Sequence, residues 1–247
     1  MGTINVLQGL RRLKDPCAAV IVTTDKVYGG PSSIHRESHA LGANEPYGAS
    51  KAAVELAVQA WREAFGMPML ATVRAGNVIG GGDWAQDRLL PDCIRALSKG
   101  RTIAVRNPTA VRPWQHVLDP LHGYLILAAL LRNSKGDRRR AEANQFETSF
   151  NFGPSPSDHR TVRDLVCEIL RHWPGEWAKV TEKNAPPETE ILRLDAGKAH
   201  RVLGWRPRWH FNEAVSQSVA WYRGLGRSGD ALEITQRQVA EFSEGLL

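Results

Sequence analysis

Residues 17–24 read CAAVIVTT, residues 47–65 read YGASKAAVELAVQAWREAF, and residues 68–75 read PMLATVRA. The first stretch is short, apolar and rich in β-branched residues, the composition of a strand buried on both faces of a parallel sheet. The second is Ala-rich and stopped by Gly66, with Pro68 just beyond, the punctuation of a helix end. The third reads as another buried strand. Strand, long helix and strand in this order form a βαβ unit, which implies an α/β fold with a parallel sheet and right-handed crossovers.

Upstream, Ile4, Leu7, Leu10 and Leu13 recur at three-residue steps, predicting an amphipathic helix over 3–13. Downstream, the rhythm changes after Gly80-Gly81-Gly82. The pattern predicts a helix over 88–99, short extended pieces within 102–118, and a helix over 119–132. Asp119 is placed to cap that helix, with Pro120 in its first turn. A strand near 148–152, a helix at 161–173, a short strand near 178–181 and a helix from Asp195 to Gly204 follow. Helices over 211–225 and 230–244 complete the chain, and no internal repeat occurs. The expected fold class is α/β: a doubly wound parallel sheet over 1–80, joined by a returning strand near 148–152, with a smaller α/β lobe over 81–247.

The 247 residues are 42% hydrophobic and 23% charged, an ordinary globular mixture that excludes collagen-like, low-complexity and wholly disordered chains. No apolar run approaches the ~20 residues of a membrane span. Arg11, Arg12, Lys14 and Asp15 interrupt the first twenty residues, so they do not read as a signal peptide. Cys17, Cys93 and Cys167 are odd in number and far apart. They argue against a disulfide scaffold or a Cys-rich zinc site and fit a reducing, cytoplasmic setting. Lys and Arg total 32 against 26 acidic residues, a net charge of +6 and a pI near 9.5. The cations are dispersed, and the one run, Arg138-Arg139-Arg140, lies in a polar stretch that reads as a solvated loop. That disfavours nucleic acid as a partner. An excess of Arg suits phosphorylated substrates, because guanidinium grips phosphate oxygens at two points.

Two local patterns carry chemistry. Thr23-Thr24-Asp25-Lys26 stands at the carboxyl end of the first strand, where ligands bind in open α/β sheets. A hydroxyl, a carboxyl and an ammonium there can bind a substrate and exchange protons with it, although a polar strand exit uses the same residues. Tyr47 and Lys51 are four residues apart on the next helix, hence on one face. A neighbouring ammonium favours the phenolate and so a tyrosine base. The glycine run 80–82 is not a dinucleotide fingerprint; it reads as a turn that frees the backbone to approach a ligand. Trp84, Trp114 and Trp209 could stack on a base, but normal burial favours the core. His116 and His122 show no metal-ligand spacing, so no metal is expected.

A Thr at a strand end followed by Tyr-x-x-x-Lys on the next helix resembles the short-chain dehydrogenase/reductase superfamily, whose extended branch acts on nucleotide sugars. RAGNVIGGGDWAQDRLLPD (74–92), RPWQHVLDPLHGYL (112–125) and ILRLDAGKAHRVLGWRP (191–207) are similar to the CDP-glucose 4,6-dehydratase group of that NAD-dependent epimerase/dehydratase family. TTDK (23–26) resembles the same group, where other sugar-nucleotide dehydratases carry Thr-Asp-Glu. The resemblance runs over nearly the whole chain. It implies a partial Rossmann-like sheet, NAD as cofactor, and a cytoplasmic lyase converting CDP-glucose to CDP-4-keto-6-deoxyglucose. It implies that Tyr47 takes the proton of the sugar's 4-hydroxyl while the C4 hydride leaves. Lys51 would bind the nicotinamide ribose, and Thr24 would bond near the 4-oxygen. Asp25 would protonate the departing 6-hydroxyl, and Lys26 would take part in removing the C5 proton. Asn77, Arg88, Leu89 and Arg112 fall where the relatives bind the sugar nucleotide, the two Arg as diphosphate partners. Relatives pair the helices matching 3–13 and 47–65 between subunits. This implies a homodimer or higher homo-oligomer, with Val54 and Val58 on the outward face. A nucleotide-sugar epimerase of the same family and a non-catalytic sugar-nucleotide-binding fragment are the alternatives; the Asp25-Lys26 pair favours dehydration, which needs an acid at C6 and a base at C5.

The sequence departs from the family in its first half. It contains neither G-x-G-x-x-G nor an acidic residue at the end of a second strand. The resemblance places both features before the fifth strand, so the expectation is a chain starting on the helix after the fourth: an amino-truncated piece, an alternative start or a split subunit. Residues 27–38 lack an aromatic-rich insertion associated with the group, and Gly48 stands where Ser is frequent. On that expectation the edge of Ala18–Val22 is open. The chain alone would then aggregate, bind NAD weakly or not at all, and be inactive unless a partner supplies the missing half.

Overall fold

A computed structural model describes the chain except residues 31, 33, 68, 134–144, 182–191 and 247. The Arg138–Arg140 run lies outside the described residues. The chain divides into two compact units. The first comprises Met1–Gly76, Pro120–Gly153 and Leu194–Arg206; the second comprises Asn77–Asp119, Pro154–Arg193 and Pro207–Leu247. Segments 120–153 and 194–206, which the sequence reading puts mainly in the second lobe apart from the strand near 148–152, belong to the first unit.

That sheet has three parallel strands, β1 (Ala19–Val22), β2 (Leu70–Ala75) and β7 (Ser149–Phe152), in the order β1-β2-β7. Alternation along the strands sends successive side chains to opposite faces. Ala71, Val73, Phe150 and Phe152 join Leu127 and Leu131 of α4 (Leu118–Asn133) and Ala199 and Leu203 of α6 (Gly197–Leu203) in one apolar core with Trp205. On the other face, Leu70, Ala19 and Ile21 meet Leu7 of α1 (Gly2–Arg11) and Val58 of α2 (Pro46–Phe65). β1 is half-buried and Val22 is 51% exposed, not buried on both faces. It is an outer strand that pairs only with β2 among the described residues. Nor do Val54 and Val58 face outward. The inward stripe of α2 is Gly48, Ala52, Glu55 and Val58, and Val54 packs against the α1–α2 cluster. The outward face is Ala49, Ala53, Leu56 and Ala60.

Beyond the apolar part of that second face lies a polar belt. Glu55 and Arg74 are 3% and 2% exposed. The Arg74 guanidinium donates from Nε to Glu55 Oε1 and from Nη2 to Oε2, both at 2.9 Å. Thr23 Oγ1 donates to Oε1 at 2.5 Å, while Thr72 Oγ1 and Ser149 Oγ donate to Oε2 at 2.6 and 3.2 Å. Arg74 Nη1 also donates to the Tyr28 hydroxyl at 2.8 Å, which donates to Asn151 Oδ1 at 2.6 Å. Burial alone would raise the Glu55 pKa; the bonds and charge of Arg74, with Thr23 and Thr72, outweigh it and hold the carboxyl below its ordinary range. Burial pushes the Tyr28 phenol up to about 12.

The second unit has one core, built by α3 (Leu89–Ser98), α5 (Val162–His172), α7 (Phe211–Ser228) and α8 (Ala231–Ser243). Three two-stranded sheets complete it: β3 (Val78–Ile79) with β6 (Gln115–His116), β4 (Ile103–Val105) with β9 (Trp177–Lys179), and β5 (Val111–Arg112) with β8 (Arg160–Thr161). Asp119 does not cap α4, which begins one residue earlier. Its buried carboxylate accepts from the Arg208 backbone N–H at 2.6 Å, and burial pushes its pKa up to about 6.

Removing Arg74 strands a buried carboxylate, so Arg74→Leu should lower the unfolding free energy by about 3–5 kcal/mol, read from urea titration. Because the Glu55 pKa is lowered in the folded chain, its stabilisation is present above the ordinary carboxyl range and is lost as pH falls through the folded value. The gap between wild type and variant should therefore close in acid; a gap constant with pH would contradict this account.

Candidate active site

The site of the first unit is built where β1 meets the start of α2. Thr24 is extended and caps a single 3₁₀ turn, Asp25–Val27. Thr24 and Asp25 are 8% and 5% exposed, and Thr24 Oγ1 donates to Asp25 Oδ1 at 3.0 Å. Lys26 points out of the turn and is exposed. Opposite it, α2 starts at Pro46, capped by Glu45, whose carboxylate accepts from the N–H groups of Tyr47 at 2.9 Å and Gly48 at 2.6 Å. That cap fixes the first turn and with it Tyr47, which is 50% exposed. Helical spacing brings Lys51 beside it. The ammonium groups of Lys26 and Lys51 each lie 5.9 Å from the centre of the Tyr47 ring. A phenol between two cations, next to a hydroxyl–carboxyl pair, is an arrangement for moving protons. Of the five residues expected to carry chemistry, the structure brings Lys26 and Lys51 to Tyr47, and Thr24 to Asp25.

Gly48 explains its own departure from Ser. A Cβ there would stand 2.5 Å from the Lys26 carbonyl oxygen and 2.6 Å from Ala43 Cβ. The backbone of α2 is seated directly on the turn that carries Asp25 and Lys26.

The other four expected residues lie in the second unit. Asn77 is half-buried, and its carbonyl accepts from the Gln115 N–H at 3.1 Å. Arg88 precedes α3; its side chain is 64% exposed and 4.0 Å from the Asp83 carboxylate. Leu89 opens α3 and packs on the core. Arg112 is 6% exposed on β5, with Nη1 donating to its neighbour's carbonyl at 2.9 Å.

The glycine run does not free its backbone for a ligand. A Cβ on Gly81 would stand 2.0 Å from the Trp221 indole, and the Tyr222 hydroxyl donates to the carbonyls of Gly80 and Asp83 at 3.2 and 2.7 Å. Close packing on α7 requires Gly81, and a Cβ on Gly80 would stand 2.7 Å from Val117. Trp114 and Trp209 are buried, whereas Trp84 is half-exposed, edge-on to Tyr222. Among the described residues no His/Cys/Asp/Glu group is placed to hold a metal. Nor is any helix among them long and apolar enough to cross a membrane. The Glu55–Arg74 pair was not anticipated; its signals were an Arg inside the apolar run 68–75 and a Glu two turns past Tyr47 on the same helix face.

A family profile described as GDP-mannose 4,6 dehydratase matches residues 1–218. The chain is 36% identical to a CDP-glucose 4,6-dehydratase from Salmonella typhimurium, over 98% of this chain and 68% of that protein. It is 28% identical to a dTDP-glucose 4,6-dehydratase from Xanthomonas campestris, over 90% of this chain and 64% of that protein. Among solved structures, a dTDP-glucose 4,6-dehydratase from Streptomyces venezuelae with NAD bound superposes with a TM-score of 0.76 at 27% identity, over 94% of this chain and 67% of that one. The chain thus spans about two thirds of the length of these relatives.

The seat of Gly48 is tight enough to test. Gly48→Ala should destabilise the chain by about 1–3 kcal/mol through overpacking, read as a fall in melting temperature. An unchanged melting temperature would show that the turn yields freely.

Proposed function

Because the chain belongs to the GDP-mannose 4,6 dehydratase family, we propose that it carries the proton-transfer centre of an NAD-dependent nucleotide-sugar 4,6-dehydratase, a hydro-lyase acting on CDP-glucose. The observation that carries this reading is that Lys26, next in sequence to the bonded Thr24–Asp25 pair, and Lys51 both lie 5.9 Å from the Tyr47 ring in one unit. Half-exposed Tyr47 beside the Lys51 ammonium offers the donor set that suits a nicotinamide ribose, so these residues fit that end of NAD. When bound, NAD supplies the hydride acceptor for C4 and returns the same hydride to C6, so there is no net oxidation.

The residues do the rest. Tyr47 removes the proton of the 4-hydroxyl, and Lys51 orients the ribose and stabilises the phenolate. Thr24 holds the 4-oxygen. With C4 a ketone, the C5 hydrogen becomes acidic. Lys26 takes it, the C6–oxygen bond breaks, and Asp25 donates the proton that lets the 6-hydroxyl leave as water; Lys26 gives its proton back to C5 once C6 is reduced. In the second unit, Arg88 and Arg112 bind the diphosphate by charge-assisted hydrogen bonds, and Asn77 and Leu89 contact the sugar nucleotide. In a longer version that also carries a glycine-rich dinucleotide half, incubation with CDP-glucose and NAD should give a 4-keto-6-deoxy product by NMR, and Tyr47→Phe should slow it by about 10²–10⁴-fold without weakening substrate binding; the chain alone should show no turnover. A C4 epimer as the product would move the chain to the epimerases.

We also propose a homodimer through α1 and α2. Val6 on α1, Leu13 just past its end and Leu56 on the outward face of α2 are 52%, 48% and 57% exposed. Leu56 shares its face with Ala49, Ala53 and Ala60, whose small side chains allow helices to approach closely. Leu56→Glu should convert a dimer to a monomer in sedimentation at micromolar concentration. A monomeric wild type would overturn the assignment.

A further inference from the structure

Tyr47, Lys51 and Glu55 follow one another at successive turns along one face of α2. The first two stand at the candidate site; Glu55 is buried below them and bonds to Thr23, Thr72, Arg74 and Ser149. Its Oε1 receives the hydroxyl of Thr23 at 2.5 Å, and Thr23 is the residue immediately before Thr24. The same hydroxyl lies 3.2 Å from the Val73 carbonyl, so Thr23 is held against β2 as well. Glu55 itself cannot shift, because Arg74 grips both its oxygens and Thr72 adds a third strand-anchored bond. A second contact, Gly48 on the Lys26 carbonyl, closes the gap one turn nearer the helix start. The turn bearing Thr24, Asp25 and Lys26 is therefore clamped to the helix bearing Tyr47 and Lys51 at two points, one of them a charged hydrogen bond in a water-poor interior.

We infer that Glu55 is a positioning residue: through Thr23 it sets the distance between the acid–base turn and the Tyr47–Lys51 pair. This role rests on the proposed dehydratase reading for its catalytic meaning. Its structural content, that the bond to Thr23 locks turn to helix, stands apart from any activity. Proton transfers need partners within hydrogen-bond reach, and misplacement by about 1 Å costs rate steeply. The substrate is held by other residues, so loss of the clamp acts on turnover, not on affinity.

The test compares Thr23→Val, which keeps the shape and deletes the donor, with Thr23→Ser, which keeps the donor. In the purified chain, hydrogen exchange at the amides of residues 25–28 and 48–51 should be roughly tenfold faster in Thr23→Val than in Thr23→Ser, reporting local opening. Equal exchange in the two variants would overturn the clamp whether or not the chain turns over CDP-glucose. In protein that does turn over, Thr23→Val should lower kcat by roughly tenfold or more with KM for CDP-glucose unchanged, and Thr23→Ser should restore it. A lower melting temperature with kcat per folded molecule unchanged would reduce Glu55 to a purely structural role. Absence of turnover by the wild type of the longer, dinucleotide-binding version would count against the dehydratase assignment and leave the exchange result to decide this inference.

Discussion

One carboxylate joins every strand of the first unit's sheet to the helix that crosses it. Glu55 accepts from Thr23 at the end of β1, from Thr72 and Arg74 on β2, and from Ser149 on β7. Such a charge is costly in the interior unless its lone pairs are filled; here five donor atoms fill them. Arg74 in turn extends the network to Tyr28 and Asn151. Apolar packing on both faces holds the layers together without fixing their register closely, because it is non-directional. The directional bonds of Glu55 fix α2 along the sheet. The position of Tyr47 over the strand ends follows from that.

The division of labour within α2 follows from its polarity. Its first turn, capped by Glu45 and seated by Gly48, presents Tyr47 and Lys51. Its middle buries Glu55. Its later inward residue Val58 closes the apolar layer with Leu7 and Leu70. A single helix thus passes from chemistry through registration to packing in three turns, and each role is assigned by which neighbour the sheet offers at that height.

Much of this was legible in the sequence because it is local. CAAVIVTT, the Ala-rich helix and PMLATVRA carry their periodicity in short windows, and Thr24-Asp25-Lys26 and Tyr47/Lys51 sit at element ends that those windows define. The failures are failures of phase and of distance. Val54 and Val58 were placed outward on the resemblance alone, whereas Glu55 is inward and carries Gly48, Ala52 and Val58 with it. The glycines at 80–82 looked free to approach a ligand because Trp221 and Val117, which require Gly81 and Gly80 to be small, are distant in sequence. Thr23, Thr72 and Ser149 each looked like ordinary polar residues; only the fold brings their hydroxyls to one carboxylate. Asp119 satisfied every local rule for a helix cap and was instead taken by the backbone of Arg208, from a segment far along the chain.

The interleaving of the two units has a consequence for synthesis on the ribosome. The first unit is completed by Pro120–Gly153 and Leu194–Arg206, so β1, α2 and β2 emerge long before Ser149 and Asn151. Until β7 arrives, Glu55 lacks one of its donors and Tyr28 lacks the acceptor of its hydroxyl, while Ala71 and Val73 have no Phe150 or Leu127 to cover them. The nascent βαβ segment therefore waits, apolar face uncovered and polar belt half-built, through the emergence of the whole of the second unit's first segment, Asn77–Asp119. Late closure of this kind is governed by non-local contacts. It makes the half-made chain, more than the finished one, the species that depends on protection from association.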